Sequence, residues 1–474
     1  MSISQGSDVL PDPADAATES TTLVVLGACG DLTSRLLLPG LGGLISQQQP
    51  EITLIGCDRA DLDDERWRQR VQQAFDAAGA AGAMVDAIVD KTRFLQADVT
   101  TPDDLNQLLK SCFGRLILYF ALPPEVTEQA CQALSSVAVP SDTRLVIEKP
   151  FGGSLARAEK LNEVVARLVP EEQVYRVDHY LGMSTVLNIL GLRFTNRVLE
   201  SVLNNTHVAS VDVLLEESLG LEGRAGYYDR AGALVDMLQS HALHVLSFLA
   251  MEPPSTINSQ DLRDAATAVL RATRVWGSDP VGSSLRARYT AGTVAGRLVP
   301  AYVDEDGVDP RRGTETFAEV TVEVNTWRWA GVPFRLRAGK ALRRLNKHVV
   351  ITFREPAWVP EGLLGFEQPD RLHIGLDPEV MRLDYNVNGP SDPRTVERIG
   401  METNLAPGDL PPYGEVLAGV LAGDTTLSVR GDQVVQTWRI MEPVLQAWSD
   451  NLVPLEDYPA GSDGPADHVR LGRP

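Results

Sequence analysis

Six short runs rich in β-branched residues alternate with five longer segments of helical period between Thr21 and about Tyr175. This alternation predicts an α/β domain whose parallel sheet is wound by helices on both faces. The predicted strands are residues 22–26, 52–55, 93–95, 116–120, 145–147 and 174–177. The predicted helices are residues 34–47, 64–78, 103–111, 125–134 and 155–169.

The pattern changes after about residue 194, where strands follow one another with few long helices between them. Predicted strands at 210–215, 317–323, 334–338 and 348–353, with one long helix at 231–251, indicate an α+β domain with a mostly antiparallel sheet. We therefore expect a dinucleotide-binding domain at 21–178 and a substrate and dimerisation domain at 179–474. Residues 1–20, rich in Ser, Asp, Pro and Ala, are expected to form a disordered tail.

The charge of the chain limits its partners. Its 474 residues include 43 Lys and Arg against 64 Asp and Glu, a formal net charge of −21, which disfavours nucleic-acid and membrane partners. The four cysteines form no CxxC pair, so neither a disulfide framework nor a zinc site is predicted. With no signal or transit pattern, and no apolar stretch that approaches the roughly 18 to 20 residues of a membrane span, we expect a cytoplasmic protein.

A glycine-containing turn follows the first predicted strand, with the sequence Gly-Ala-Cys-Gly-Asp-Leu at residues 27–32. Gly27 and Gly30 permit a tight turn and close backbone approach, and Asp31 and Leu32 open the next helix, whose free N–H groups suit a pyrophosphate. The third glycine of GxGxxG is missing, and such a turn alone is also a common structural feature. Its place near the start of the alternating pattern favours the cofactor interpretation.

Asp58 and Arg59 stand together at the end of the second predicted strand. A carboxylate there accepts from the ribose 2′-hydroxyl of NAD, whereas a guanidinium pairs with the 2′-phosphate of NADP. Arg59 favours NADP, and use of NAD stays open. The alternative is a solvated pair on a loop.

Lys149 lies in the segment Glu-Lys-Pro-Phe-Gly at residues 148–152, where the fifth strand reaches the edge at which ligands of such folds bind. Its ammonium group suits cofactor or substrate oxygens. The alternative is a plain strand end followed by a turn, and Pro150 is a candidate for a cis peptide bond.

A histidine and a carboxylate are candidates for proton transfer. His241 lies on the predicted long helix that also carries Asp236, and Asp178 is a carboxylate that can orient it. A lone histidine on such a helix is more often a structural residue whose ring nitrogens form ordinary hydrogen bonds. His241 and His244 form HxxH, but no further ligand stands at a recognisable spacing, so no metal site is predicted.

Together these motifs resemble the glucose-6-phosphate dehydrogenase family over nearly the whole chain after the tail. The matching stretches are residues 27–32, 148–152, 176–182, 222–229, 236–241, 251–254, 327–334 and 339–340. The resemblance implies a Rossmann-like N-terminal domain, a large C-terminal sheet that forms a homodimer or homotetramer, and oxidation of C1 of a pyranose to a lactone with hydride transfer to NADP.

The resemblance also implies roles for single residues. His241 matches the general base, and Asp178 matches the carboxylate that orients it. The positions that match substrate-binding residues are His179 and Tyr180, at the sugar phosphate, and Glu217, Asp236, Lys340 and Lys149, the last of them between sugar and cofactor.

Two departures from the family pattern leave the substrate open. The lysines expected at the phosphate and on the first helix are Met183 and Leu36 here. Each lost charge-assisted hydrogen bond costs roughly 1.5–3 kcal/mol unless other cations replace it, with Arg35, Arg343, Arg344 and Lys347 as candidates. Glucose 6-phosphate is the expected substrate. The alternatives are the same chemistry on an unphosphorylated or differently charged sugar, and a catalytically weak paralogue that acts as a binding or regulatory subunit.

Overall fold

The computed structural model describes residues 20–223, 225–365, 368–388, 392–406 and 408–466. The predicted tail at residues 1–20 lies outside this range except for Ser20.

The chain divides into two compact units, and each unit is made of three separate stretches of the sequence. The first contains residues 20–122, 126–147 and 164–174, and the second contains residues 123–125, 148–163 and the described chain from 175 onward. Lys149 and Asp178 therefore belong to the second unit. The division into domains at residue 178 stays a prediction.

The first unit is built on a six-stranded sheet in the order β3-β2-β1-β4-β5-β6, whose pairings are parallel where the register is defined. This confirms the predicted α/β, Rossmann-like arrangement. Its strands are β1 (Thr21–Leu26), β2 (Ile52–Asp58), β3 (Arg93–Gln96), β4 (Arg115–Phe120), β5 (Arg144–Glu148) and β6 (Val174–Val177). The helices are α1 (Leu38–Gln48), α2 (Asp64–Ala77), α3 (Ala83–Lys91), α4 (Pro102–Lys110), α5 (Pro124–Leu134) and α6 (Leu155–Leu168), and a wide π-type turn, Thr33–Leu37, precedes α1.

The central strands of this sheet are buried on both faces. Strands β1 and β4 carry runs of apolar residues rather than an alternating pattern, as expected where helices cover both sides. Helix α3 is not predicted from the sequence, because it follows a segment rich in Ala and Gly whose weak pattern favours no element.

The second unit contains a ten-stranded sheet in the order β17-β16-β15-β14-β7-β13-β12-β9-β18, with β8 beside β12. The strands are β7 (Val208–Glu216), β8 (Thr273–Val275), β9 (Ser284–Thr290), β12 (Phe317–Val324), β13 (Pro333–Gly339), β14 (Asn346–Phe353), β15 (Arg371–Asp377), β16 (Val380–Asn388), β17 (Val396–Asn404) and β18 (Leu455–Pro459). Strands β10 (Gly292–Val294) and β11 (Arg297–Val299) form a separate hairpin. Most pairings are antiparallel, as predicted, but β7 and β13 run parallel.

The helices of this unit are α7 (Ser184–Phe194), α8 (Arg197–Val202), α9 (Ala225–Ala233), α10 (Leu243–Ala250), α11 (Ser259–Ala272), α12 (Pro412–Ala422) and α13 (Gly431–Ser449). A wide π-type helix, Leu234–Ala242, joins α9 to α10, and short 3-10 turns lie at Glu171–Gln173, His179–Gly182, Trp276–Ser278, Tyr302–Asp304 and Pro310–Arg312.

The predicted long helix corresponds to the run Ala225–Ala250, which bends at Gly232, where φ is 68°. By length and composition this run could cross a membrane, with a mean hydropathy of 1.2 in its most apolar window. The expectation that no apolar stretch approaches that length was therefore wrong. However, 89% of the window is buried inside the protein, which is the character of a core helix.

Candidate active site

The turn predicted to hold a pyrophosphate is formed by backbone hydrogen bonds in the first unit. The N–H groups of Gly27 and Ala28 both donate to the carbonyl of Cys57, and Gly30 N–H donates to Gly27. Gly27 has φ of +89°, and a Cβ atom there would lie 2.2 Å from the carbonyl oxygen of Ala121. The helical segment that runs through Thr33–Leu37 into α1 begins at Asp31. The N–H groups of its first turn therefore have no partner within the helix.

The Asp58 carboxylate and the Arg59 guanidinium, at the end of β2, differ in their surroundings. Asp58 accepts from the N–H of Cys29 at 3.1 Å with one oxygen and from the N–H of Ala60 at 3.2 Å with the other. Its carboxylate thus joins the glycine turn to the end of β2. Arg59 is exposed. The first-turn N–H groups of the helix and the exposed guanidinium of Arg59, which follows Asp58, are donors that suit the phosphates of NADP.

The buried centre of the second unit is a hydrogen bond between Asp178 and His241. Both side chains are almost fully buried, at 0% and 1% exposure, and the Asp178 carboxylate accepts from Nδ1 of His241. The same oxygen accepts from the N–H of Tyr180 at 3.1 Å because Asp178 caps the 3-10 turn His179–Gly182. The two residues are 63 positions apart in sequence, and the fold brings them into contact.

Electrostatics keep this pair in the form that a base requires. Burial lowers the pKa of His241 below its ordinary value, although the Asp178 charge opposes the shift and Lys149 adds to it. Burial opposes ionisation of Asp178, but the hydrogen bonds and charges of His241 and His244 hold its pKa well below the usual range. The imidazole is therefore neutral near pH 7 and carries its proton on Nδ1, which leaves Nε2 able to accept one.

Two aromatic rings pack against the imidazole of His241. Tyr180 stacks on it at 4.1 Å between centroids, and His179 meets it edge-on at 4.8 Å. Tyr413 in turn stacks on His179 at 5.4 Å between centroids. Burial and the charges of His241 and Lys149 keep the pKa of His179 well below its usual value. Tyr413 is not among the predicted site residues, because nothing in its local sequence pattern indicates this contact.

Lys149 and Asp236 form a partly buried ion pair. The ammonium nitrogen lies 2.8 Å from Oδ1 of Asp236 and also donates to the Asp236 carbonyl. Burial acts to raise the pKa of Asp236, but the charges of Lys149 and Lys340 outweigh it and hold that pKa below the ordinary value. The peptide bond between Lys149 and Pro150 is cis, as the sequence suggested.

A second ion cluster forms where the parallel strands β7 and β13 end. Glu217 follows β7 and Lys340 follows β13, and their side chains meet at 2.7 Å. Lys347 approaches the other oxygen of Glu217 at 3.5 Å. Burial acts to raise the pKa of Glu217, but Lys340 and Lys347 lower it, so the carboxylate is ionised. This cluster brings together two of the residues expected to contact the sugar.

The departures at residues 36 and 183 have different surroundings. Met183 precedes α7 and is half-buried, and Leu36 is 38% exposed. Of the four cations considered as replacements, Lys347 contacts Glu217, whereas Arg35 pairs with Asp31 and Arg343 pairs with Asp463. Arg344 is exposed.

Glu315 is a buried carboxylate that is not among the predicted site residues. One oxygen accepts from the N–H of Leu234 at 3.0 Å, where the wide helix carrying Asp236 and His241 begins. Burial raises the pKa of Glu315 to about 7. Gly232 permits this contact, since a Cβ atom there would lie 2.2 Å from the same oxygen. A charged residue just before the apolar strand β12 is the only sequence signal that indicates a special role.

The HxxH pair is arranged around a carboxylate. Nδ1 of His244 lies 2.7 Å from Oδ2 of Asp178, so both histidines share this one acid. Within the described residues, no group of three or more His, Cys, Asp or Glu side chains has the arrangement of a metal site.

Family models and relatives match the chain over nearly its whole length. The model described as glucose-6-phosphate dehydrogenase, NAD binding domain, matches residues 24–188, and the C-terminal domain model matches residues 190–473. A curated glucose-6-phosphate 1-dehydrogenase of Gluconobacter oxydans is 36% identical, with 94% of this chain and 95% of the relative covered. The protein of that name from Mycolicibacterium smegmatis is 35% identical, with 97% of each covered.

Solved structures give the same result. A glucose-6-phosphate dehydrogenase in complex with glucose 6-phosphate has a TM-score of 0.84 and 28% identity, with 96% of this chain and 97% of that chain covered. The glucose-6-phosphate 1-dehydrogenase of Mycobacterium avium has a TM-score of 0.82 and 30% identity, with 95% and 96% covered.

Proposed function

The chain belongs to the glucose-6-phosphate dehydrogenase family, and we propose that it oxidises the anomeric carbon of glucose 6-phosphate to a lactone, with NADP as cofactor. Members of this family are NAD(P)-dependent oxidoreductases that act on the CH–OH group of a sugar, and this is the reaction class of the chain. The observation that carries the residue assignments is the buried pair of His241 and Asp178, which supplies a neutral imidazole with an oriented proton.

His241 is the proposed general base. Its Nε2 takes the proton of the anomeric hydroxyl while the hydrogen on C1 leaves with its electron pair, so that the C–O bond becomes a carbonyl. Asp178 holds the Nδ1–H group and stabilises the imidazolium that forms. When bound, NADP supplies the acceptor for the hydride.

The remaining polar residues are proposed to bind and orient. Glu217, Asp236 and Lys340 bind sugar hydroxyls, His179 and Tyr180 bind the phosphate, and Lys149 lies between sugar and cofactor. Their ion pairs support this assignment, because hydroxyl groups of a substrate can join carboxylates and ammonium groups that are already held in place. Gly27, Gly30, Asp31, Leu32 and Arg59 are proposed to hold the pyrophosphate and the 2′-phosphate of NADP.

A homodimer or homotetramer in the cytoplasm is part of the proposal. Strand β17 lies at the edge of the large sheet and leaves Met401 62% exposed and Ile399 37% exposed. An exposed strand edge with apolar side chains favours association with a second copy of the chain.

The substrate is tested by initial rates on glucose 6-phosphate, glucose and other sugar phosphates, with NADP and NAD compared for each. We expect the highest kcat/KM for glucose 6-phosphate with NADP. Strong turnover of free glucose with none of glucose 6-phosphate would favour a neutral sugar, and the absence of turnover on every sugar would favour a binding protein.

The phosphate site is tested by Met183→Lys. Adding a cation beside the predicted phosphate-binding residues should lower the KM for glucose 6-phosphate by roughly tenfold to a hundredfold, since a charge-assisted hydrogen bond is worth about 1.5–3 kcal/mol. Met183→Gln, which adds no charge, is the matched control. An unchanged KM in the lysine variant would show that residue 183 does not face the phosphate.

A further inference from the structure

His244 lies on the same side of its helix as His241 and reaches the same carboxylate. The two histidines are three residues apart, across the junction between the wide helix and α10, which brings their side chains to one face. The His244 side chain is 3% exposed, and its Nδ1 lies 2.7 Å from Oδ2 of Asp178. The proposed mechanism leaves this second histidine without a role.

The hydrogen bonds of Asp178 divide between its two oxygens. One oxygen accepts from the N–H of Tyr180 and from His241, and the other accepts from His244. A carboxylate carries one negative charge over its two oxygens, so charge drawn by one donor is less available to the others. His244 therefore competes with His241 for the charge of Asp178.

The surroundings of the second ring nitrogen determine where the His244 proton resides. Nε2 of His244 is buried and has no hydrogen-bond partner among the residues that the structure describes. A proton there would be an unpaired buried donor, which is unfavourable because the N–H group has lost its water and gained no partner. The geometry therefore places the His244 proton on Nδ1, which donates to Asp178, and leaves Nε2 without a partner among the described residues to which a proton could pass.

We propose that His244 is a positioning residue that acts through Asp178: its Nδ1–H group fixes the orientation of the carboxylate and limits how strongly that carboxylate stabilises the protonated form of His241. The proposal rests on the proposed function, in which His241 is the base. A base that must release its proton after each turnover benefits from a carboxylate whose charge is shared.

The charged and titratable groups that face His241 and Asp178 come from several elements: Lys149 after β5, His179 and Tyr180 in the 3-10 turn, Asp236 on the wide helix and His244 on α10. A change confined to His244 leaves the other groups in place. The effect of His244 on His241 can therefore be separated from theirs.

The test compares His244→Leu, which removes the donor, with His244→Gln, which keeps an N–H donor on a side chain of similar reach. In His244→Leu, Asp178 no longer accepts a hydrogen bond from residue 244. Its charge should therefore stabilise the imidazolium of His241 more strongly. We expect the acid limb of the kcat/KM profile to move to higher pH by about 1 unit in His244→Leu, and by much less in His244→Gln.

A second measurement does not depend on turnover. Titration of ¹³C-labelled histidine rings by NMR in the protein without substrate, with His241 assigned from His241→Asn, should show the same upward shift of the His241 pKa in His244→Leu. Nitrogen chemical shifts of the unsubstituted protein should place the His244 proton on Nδ1. This last measurement applies even if the leucine variant does not fold.

Three results would overturn the proposal: an unshifted His241 titration in His244→Leu, equal shifts in the leucine and glutamine variants, or a His244 proton on Nε2. Failure of the proposed function has a different signature, because it would leave kcat near normal in His241→Asn whatever the substitution at residue 244.

Discussion

The glycine turn of the first unit, residues 27–32, and the buried histidine cluster of the second unit are built in different ways. The turn is one continuous segment, residues 27–32, held by backbone hydrogen bonds to the end of β2. The cluster combines side chains from separate segments, with Asp178 meeting His241 and His244 across more than 60 positions of sequence.

This difference predicts where each region is sensitive to substitution. In the turn, an added Cβ atom at Gly27 would collide with the backbone carbonyl of Ala121. In the cluster, the wide helix Leu234–Ala242 provides the framework, and the chemistry depends on single functional groups placed along it. Substitutions in the turn should therefore act by distorting its backbone, whereas substitutions in the cluster should act by lowering the rate of the reaction.

The largest effect is expected for His241→Asn, which tests the cluster. Removal of the base should reduce kcat by about 10²–10⁴-fold. The melting temperature and the dissociation constant of NADP should change little, because the turn that is proposed to hold the cofactor lies in the other unit. Steady-state kinetics and cofactor titration measure the two effects, and a near-normal kcat would contradict the role of His241.

Glu315→Gln tests whether the framework of the cluster depends on a titrating group. Burial raises the pKa of Glu315 in the folded protein to about 7 from 4.5, so the folded state binds the proton more tightly than the unfolded state. The free energy of unfolding should therefore fall by about 3 kcal/mol as pH rises from about 4.5 to 7.

Glutamine keeps an oxygen that can accept from Leu234 but does not titrate, so this part of the pH dependence should disappear in the variant. Urea unfolding between pH 4.5 and 8 measures it, with the exposed Glu361→Gln as the control. If both variants keep the slope of the unsubstituted protein, Glu315 does not titrate in this range.

Gly27→Ala tests the turn and has the smallest expected effect. The positive φ and the contact with the Ala121 carbonyl should destabilise the protein by about 1–3 kcal/mol and weaken NADP binding. Gly79→Ala is a matched control, because Gly79 also has positive φ, at 67°, but nothing lies within 4 Å of an added Cβ. Equal losses of stability and affinity in the two variants would mean that the close approach at Gly27 is unimportant.

The sequence by itself determined the six strands and five of the six helices of the first unit, and the four adjacent strands β14, β7, β13 and β12 of the large sheet. Strand and helix periodicity and turn chemistry act over a few residues, so the pattern from Thr21 to Tyr175 and the turn at Gly27 could be recognised directly. Local patterns were weakest where composition was ambiguous, as before α3, or where a single glycine bends a helix, as at Gly232.

Only the tertiary structure decided which distant side chains meet. The sequence indicated that Asp178 could orient His241. It did not indicate that His244 bonds to the other oxygen of Asp178, that Glu315 accepts from the first N–H of the wide helix, or that Tyr413 stacks on His179. These contacts depend on how strands and helices pack, and packing is set by the burial of many side chains together rather than by any short segment. The periodicity of the chain thus specified its elements, and their packing specified the surroundings of the proposed base.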